Sequence, residues 1–187
     1  MILFIHGFAS CGLGEKSRCL IDRFGRADLL TPDLSHDPAS AVTQLESLLV
    51  RYPVDLLVGS SLGGHYAVWL NRRHRVPAVL INPAVAPHRL LARYVGGHQR
   101  WCDGATFRLT TAHIAELERQ FRPELDPGER YLVLLQAGDE VLDYRAAADY
   151  FRAFEVVVLP DGSHRFDRLS EQLQRIEDFR HRTATTP

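Results

Sequence analysis

The amino-acid sequence predicts an α/β protein in which helices cover both faces of a mostly parallel sheet of about six strands. Short runs of consecutive apolar residues recur along the chain, and such runs are typical of parallel strands that are buried on both faces. Segments with helical spacing of apolar residues follow most of them, as crossovers between parallel strands require. At 187 residues, the chain can form one domain with a substantial core.

The six apolar runs that we predict to be strands are residues 2–5, 29–31, 54–58, 78–81, 131–135 and 155–159. The predicted helices are residues 15–24, 41–50, 62–73, 145–152 and 167–179, and residues 183–187 are expected to fray. The interval 83–128 is too long for a simple crossover. Because it contains helical pieces at 88–95 and 110–121, we expect a small helical cap over the strand ends, inserted in a single domain, 1–187.

Composition excludes some classes of partner. Charged residues make up 24% of the chain, and 22 basic residues nearly balance 23 acidic ones, for a net charge of -1. This balance gives no electrostatic reason to expect nucleic acid or an anionic membrane as a partner. No apolar run approaches the length of a membrane span, and the first residues are interpreted as a strand and not as a signal peptide. We therefore expect a cytoplasmic protein.

The cysteine pattern points to a reducing compartment. Cys11, Cys19 and Cys102 are an odd number and include no Cys-x-x-Cys pair. This pattern argues against a disulfide framework and against a structural zinc site. Apart from His36, His65 and His164, which are considered below, the histidines show no metal-ligand spacing, so we expect neither a metal nor a cofactor.

The segment after the third predicted strand has the form of a nucleophile elbow. Gly59-x-Ser61-x-Gly63 follows the apolar run directly. A serine on a tight turn between strand and helix needs free space on both sides, and glycines leave that space because they lack a Cβ. Ser61 is therefore the predicted nucleophile.

A serine nucleophile needs a base and an acid that orients the base. In parallel α/β sheets the reacting groups gather at the carboxyl ends of the strands. Asp139 follows the fifth predicted strand and His164 follows the sixth, which gives the order Ser, Asp, His of an α/β-hydrolase. We expect Asp139 to be the acid and His164 the base.

Other assignments stay open at this point. Glu140 and Asp143 are alternatives for the acid because they follow the same strand. His36 and His65 are alternatives for the base. His65 lies four residues after Ser61 on the predicted helix, so a structural role on the helix face is its other interpretation.

Acyl transfer also needs two backbone N–H groups that stabilise the oxyanion. The first predicted donor is Leu62, directly after the nucleophile. The second is Phe8, because His6-Gly7-Phe8 ends the first predicted strand. His6 is expected to be a structural hydrogen-bonding residue. An apolar acyl pocket could use Phe8, Leu90, Leu91, Trp101 and Phe107.

Several segments together resemble the YqiA/YcfP-like esterases, a family of small bacterial α/β-hydrolases. The segments that carry the resemblance are Phe4-Ile5-His6-Gly7-Phe8, Gly59-Ser60-Ser61-Leu62-Gly63-Gly64, Asn82-Pro83-Ala84-Val85, 138–145 and Gly162-x-His164-x-Phe166. The resemblance implies a compact fold with a small cap, esterase activity on acyl esters or acyl thioesters, and nucleophile, acid and base at Ser61, Asp139 and His164.

The sequence therefore predicts a serine carboxylesterase that acts through an acyl-enzyme on a small-molecule ester, without a cofactor. An acyl-CoA thioesterase, or another acyl hydrolase with the same triad, is the alternative among enzymes. A catalytically inactive binding protein that keeps the hydrolase fold is the alternative from another class.

Overall fold

A computed structural model describes residues 1–184 of the chain, and its centre is a six-stranded parallel sheet, as predicted. The strands of residues 1–184 are β1 (Ile2–Ile5), β2 (Leu29–Leu30), β3 (Leu56–Ser60), β4 (Ala78–Ile81), β5 (Gly96–Gln99), β6 (Thr106–Leu109), β7 (Tyr131–Gln136) and β8 (Glu155–Leu159). The main sheet has the order β2-β1-β3-β4-β7-β8, and every pairing in it is parallel. The carboxyl ends of its strands therefore lie along one edge.

Helices cover both faces of this sheet. The helices are α1 (Glu15–Phe24), α2 (Pro38–Arg51), α3 (Leu62–His74), α4 (Pro87–Leu91), α5 (Thr111–Gln120), α6 (Tyr144–Tyr150) and α7 (Leu173–Ala184), with 3-10 turns at Arg26–Asp28, Ala92–Tyr94 and Leu169–Gln172. Within residues 1–184, no helix has both the length and the apolar character that crossing a membrane requires.

Strand β1 is apolar at every position because both of its faces are buried. Leu3 and Ile5 pack in the layer of α2, α3 and α6, whereas Ile2 and Phe4 pack in the layer of α1 and α7. Successive side chains of a strand point to opposite faces, so a strand buried on both faces needs an apolar residue at every position. All four residues are at most 4% exposed.

The boundaries of several elements differ from the predicted ones. Helix α2 begins at Pro38, three residues before the predicted start, because the Asp37 carboxylate accepts the Ser40 N–H at 2.7 Å and caps the helix. Helix α7 begins at Leu173, after a 3-10 turn. Of the predicted frayed tail, Thr183 lies in α7, and residues 185–187 lie outside the described residues.

The insertion is not the purely helical cap that the sequence predicts. Helices α4 and α5 are present, but β5 and β6 form an antiparallel hairpin between them. Near the turn of this hairpin, the Trp101 N–H donates to the Ala9 carbonyl at 2.9 Å. The hairpin therefore lies against the loop after β1, beside the carboxyl ends of the strands.

The prediction that the cysteines form no disulfide is wrong, because Cys11 and Cys102 form one. The two residues are 91 positions apart in sequence, and only the docking of the hairpin on the β1 loop brings them together. Cys19 is free. Asp103 lies close enough to the two sulfurs for the three to be considered as metal ligands, but disulfide sulfurs are not available as thiolates.

Candidate active site

Ser61 lies on a strained turn between β3 and α3. Its backbone angles are φ 55° and ψ -120°, a conformation that costs a non-glycine residue on the order of 1–3 kcal/mol. Its N–H donates to the Ile81 carbonyl at 3.0 Å, and its carbonyl accepts the N–H groups of Gly64 and Ala84 at 2.9 and 3.0 Å. These bonds hold the turn in place at the carboxyl edge of the sheet.

The glycines around Ser61 are required by close approach of the backbone. A Cβ on Gly59 would lie 2.4 Å from the Gly63 carbonyl oxygen, and a Cβ on Gly63 would lie 2.0 Å from the Ile5 carbonyl oxygen. Either contact would force the backbone apart. The Gly-x-Ser-x-Gly pattern therefore reflects the packing of α3 against β1 and β3.

His164 connects Ser61 to Asp139 through two hydrogen bonds. Its Nδ1 lies 2.8 Å from Asp139 Oδ2, and its Nε2 lies 3.1 Å from Ser61 Oγ. An ionised carboxylate only accepts, so Nδ1 carries the proton and Nε2 accepts from the Ser61 hydroxyl. The structure thus brings together the three residues that the sequence predicts for the triad.

Asp139 is kept in its ionised form by hydrogen bonds, two of which come from the backbone N–H groups that follow it in the chain. Its side chain is only 2% exposed, and burial alone would raise its pKa. Hydrogen bonds from His164, Leu142 and Val141 outweigh the burial, so the pKa of Asp139 lies below its ordinary value. The Val141 and Leu142 N–H groups both donate to Oδ1 at 2.8 Å, which leaves Oδ2 for His164.

The two other carboxylates considered for the acid have different contacts. Glu140 accepts the backbone N–H of His164 at 2.9 Å, so it holds the loop and not the imidazole. Asp143 caps α6 by accepting the Arg145 N–H at 3.0 Å.

The two other histidines considered for the base make no hydrogen bond to Ser61 among the described residues. His36 stacks on Phe107, with ring centroids 3.6 Å apart. His65 is buried on α3, and burial lowers its pKa to about 4. Both histidines belong to the packing around the site.

Two buried amides that the sequence analysis did not assign to the site hold the loop of His164. The Gln136 Oε1 accepts the N–H groups of Ser163 and Asp167 at 3.0 and 2.9 Å, and its Nε2 donates to the Asp167 carbonyl at 2.7 Å. Asn82 donates to the Ser163 carbonyl at 3.0 Å and accepts the Gln136 N–H at 2.9 Å. The signal that could have identified both is a polar residue at the end of an apolar strand, as Gln136 is in β7, or directly after one, as Asn82 is after β4.

The predicted oxyanion donors follow two neighbouring strands, because β1 pairs with β3, with Ile5 opposite Gly59. Phe8 follows β1 and Leu62 begins α3. Neither backbone N–H donates to another described residue, so both are free to bind a ligand. The first N–H groups of a helix have no acceptor within the helix, which explains the free donor of Leu62.

His6 fixes the peptide that carries the Phe8 N–H. Its Nε2 accepts the Leu34 N–H at 3.0 Å, so its Nδ1 carries the proton and donates to the Gly7 carbonyl at 2.9 Å. In a trans peptide the C=O and the following N–H point in opposite directions. The bond to Gly7 therefore orients the Phe8 N–H. Burial lowers the pKa of His6, which favours this neutral form.

A cavity of about 470 Å³ opens above Ser61 and His164. Of the residues predicted for an acyl pocket, Phe8 and Trp101 line it. Leu90, Leu91 and Phe107 are not among its lining residues. Leu91 is buried in the hydrophobic core, because the insertion packs against the α2, α3 and α6 face of the sheet. Phe107 stacks on His36 instead.

The sequence of this chain matches an uncharacterised protein family, UPF0227, over residues 1–181. The chain belongs to this family. One member, from Citrobacter koseri, is 27% identical over 96% of this chain and 98% of its own length. The UPF0227 protein YcfP of Salmonella typhimurium is 28% identical over the same shares. The YcfP-like resemblance predicted from the sequence is thereby confirmed.

Solved structures with the same architecture include proteins named as hydrolases. Est1E from Butyrivibrio proteoclasticus superposes with a TM-score of 0.78 at 15% identity, over 99% of this chain and 88% of Est1E. Mouse alpha/beta hydrolase domain-containing protein 10 superposes with a TM-score of 0.69 at 20% identity, over 97% and 89%. These likenesses confirm the predicted α/β-hydrolase fold.

Proposed function

We propose that this protein is a serine carboxylesterase in which Ser61 is the nucleophile, His164 the base and Asp139 the residue that orients His164. The observation that carries the proposal is the continuous hydrogen-bonded chain from Asp139 through His164 to Ser61. The fold of the chain and the structural neighbours named as an esterase domain or as hydrolases support it.

In the first half of the proposed reaction, Ser61 Oγ attacks the ester carbonyl while its proton moves to His164 Nε2. Negative charge develops on the carbonyl oxygen, and the N–H groups of Phe8 and Leu62 stabilise it. Asp139 stabilises the imidazolium that forms. His164 then donates the proton to the leaving alcohol, and an acyl-enzyme on Ser61 remains.

In the second half, water attacks the acyl-enzyme while His164 accepts one of its protons. The same N–H groups stabilise the second oxyanion. Collapse of this intermediate breaks the bond to Ser61 Oγ, which takes the proton back from His164 and releases the carboxylic acid. The sum is hydrolysis of one ester bond by one water, and it needs no cofactor.

A fluorophosphonate probe tests the nucleophile. We expect the wild-type protein to be labelled covalently and Ser61→Ala to remain unlabelled. Ser60→Ala is the matched control, because it removes the neighbouring hydroxyl from the same turn, and it should still be labelled. An unlabelled wild type, or equal labelling of Ser61→Ala, would disprove the mechanism.

A substrate panel defines the acyl substrate. We propose 4-nitrophenyl esters of increasing chain length beside acyl-CoA thioesters of the same acyl groups. Faster turnover of the oxygen esters supports the carboxylesterase, and faster turnover of the thioesters identifies a thioesterase with the same nucleophile. Absence of Ser61-dependent turnover of either class would disprove both the carboxylesterase and the thioesterase, and would leave another acyl hydrolase or an inactive binding protein.

A further inference from the structure

The only lysine of the chain, Lys16, lines the same cavity as Ser61 and His164. It lies in the first turn of α1 and is half-buried. Burial lowers the pKa of its ammonium group. Transfer of a charge out of water is unfavourable unless an opposite charge compensates it. Lys16 therefore gains from an anion that enters the cavity.

A second cation, Arg165, lines this cavity directly after His164 in sequence. Lys16 and Arg165 are near enough for the charge of Arg165 to lower the pKa of Lys16 further, although the carboxylates of Glu15, Asp167 and Asp139 oppose this effect. Two cationic residues, the half-buried Lys16 and the exposed Arg165, thus line the cavity that contains the nucleophile.

Within residues 1–184, the side chains of Lys16 and Arg165 form no hydrogen bond and no ion pair. Arg100, which lies near the rim of the site, shows the contrast. It forms ion pairs with Asp33 at 3.1 Å and with Asp103 at 3.2 Å. Carboxylates thus neutralise Arg100 by direct contact, whereas no carboxylate does so for Lys16 or Arg165 among residues 1–184.

Two carboxylates also line the cavity, and neither neutralises this pair by direct contact. Glu140 accepts the backbone N–H of His164 at 2.9 Å. Glu15 is exposed, and it forms no ion pair with Lys16 or Arg165 among the described residues. Of the charges around Lys16, that of Glu15 acts most strongly on the pKa of its ammonium group, so Glu15 offsets part of the positive charge through space and without direct contact.

We propose that Lys16 and Arg165 form an anion subsite, and that the preferred ester of this protein carries a carboxylate or a phosphate group that binds there. This inference rests on the proposed esterase function, because the ester must react at Ser61. The cavity of about 470 Å³ has the size of ordinary small-molecule sites. It can hold the reacting carbonyl at Ser61 and an anionic group at the two cations in one ligand.

Three 4-nitrophenyl esters of matched length test the subsite. They are the hexanoate, the monoester of adipic acid, and the ester of 5-phosphonopentanoic acid, which differ in a terminal methyl, carboxylate or phosphonate group. We expect kcat/KM of the wild-type protein to be about tenfold or more higher for a charged ester than for the hexanoate. The better of the two charged esters distinguishes a carboxylate from a phosphate substrate.

Two variants and one control test whether Lys16 and Arg165 cause the preference for charged esters. In Lys16→Met and Arg165→Met, the ratio of kcat/KM between charged ester and hexanoate should fall about fivefold or more, with the loss mainly in KM. The matched control is Arg18→Gln, which removes an exposed charge from the same helix outside the cavity and should keep the wild-type ratio. Added salt should lower the ratio of the wild type, because ions screen the attraction.

The outcomes separate the two proposals. If the wild type hydrolyses the hexanoate through Ser61 but the charged esters no faster, the anion subsite is disproved and the esterase function stands. If Lys16→Met and Arg165→Met both keep the wild-type ratio, the subsite is likewise disproved. If no ester is hydrolysed and no fluorophosphonate label appears, the proposed function fails and the inference fails with it.

Discussion

The amide of Gln136 links the end of β7 to the loop that carries His164, and its removal gives a quantitative test of the site. Gln136→Leu keeps the approximate size of the side chain but removes three hydrogen bonds, to the N–H groups of Ser163 and Asp167 and to the Asp167 carbonyl. Gln136 is only 1% exposed, so water cannot easily replace the lost partners.

The expected magnitude follows from these contacts. Each hydrogen bond contributes about 1 kcal/mol net to folding, and a buried group left without a partner costs more. We therefore expect Gln136→Leu to lower the free energy of unfolding by about 3 kcal/mol. A shift of His164 by about 1 Å would lower kcat/KM by about 100-fold, because the distance from Nε2 to Ser61 Oγ is set by this loop.

Urea denaturation measures the stability, and 4-nitrophenyl ester hydrolysis under conditions in which the variant is fully folded measures the activity. The control is Gln174→Leu. Gln174 is exposed on α7, and water can replace its hydrogen bonds to Arg23 and Asp178, so this change should alter stability by no more than about 0.5 kcal/mol. If Gln136→Leu unfolds within about 0.5 kcal/mol of the wild type and keeps its kcat/KM, Gln136 does not hold the His164 loop.

Three further predictions concern other parts of the molecule. Asp139→Asn should lower kcat by about 10⁴-fold, because an amide favours the wrong tautomer of His164; a loss below tenfold in steady-state assays would contradict the assigned acid. The pKa of His65 is about 4 in the folded protein and 6.5 for an ordinary histidine, so below pH 6.5 the unfolded chain binds a proton that the folded one does not. The stability due to neutral His65 is thus complete above pH 6.5 and lost as pH falls through about 4, by about 3 kcal/mol; urea titrations of His65→Phe should show a flatter pH profile, and an identical profile would refute this. Reduction of the disulfide between Cys11 and Cys102 should lower stability by about 2–4 kcal/mol and shift the melting temperature of the wild type but not of Cys11→Ser; an unchanged wild-type melt would count against the bond.

The amino-acid sequence was sufficient for the parts of the molecule that depend on local patterns. Continuous apolar runs identified the strands of the parallel sheet, because a strand buried on both faces cannot hold polar side chains in its middle. The Gly-x-Ser-x-Gly pattern identified the turn at Ser61, because a Cβ on Gly59 would meet the Gly63 carbonyl within the same turn, although the requirement for Gly63 comes from its contact with Ile5 of β1. The carboxyl ends of parallel strands lie at one edge of the sheet, so the sequence alone was sufficient to place Asp139 and His164 near Ser61.

Contacts between distant segments were decided by tertiary structure alone. The disulfide of Cys11 and Cys102 forms because the β5/β6 hairpin docks on the β1 loop, and no spacing in the sequence encodes that approach. The amide network of Gln136 and Asn82 depends on the register of β4, β7 and β8. Lys16 is one lysine on a helix in the sequence, and it becomes a feature of the cavity only when α1 is packed beside Ser61. Such contacts depend on how loops converge in space, and a local pattern of residue types carries no information about that convergence.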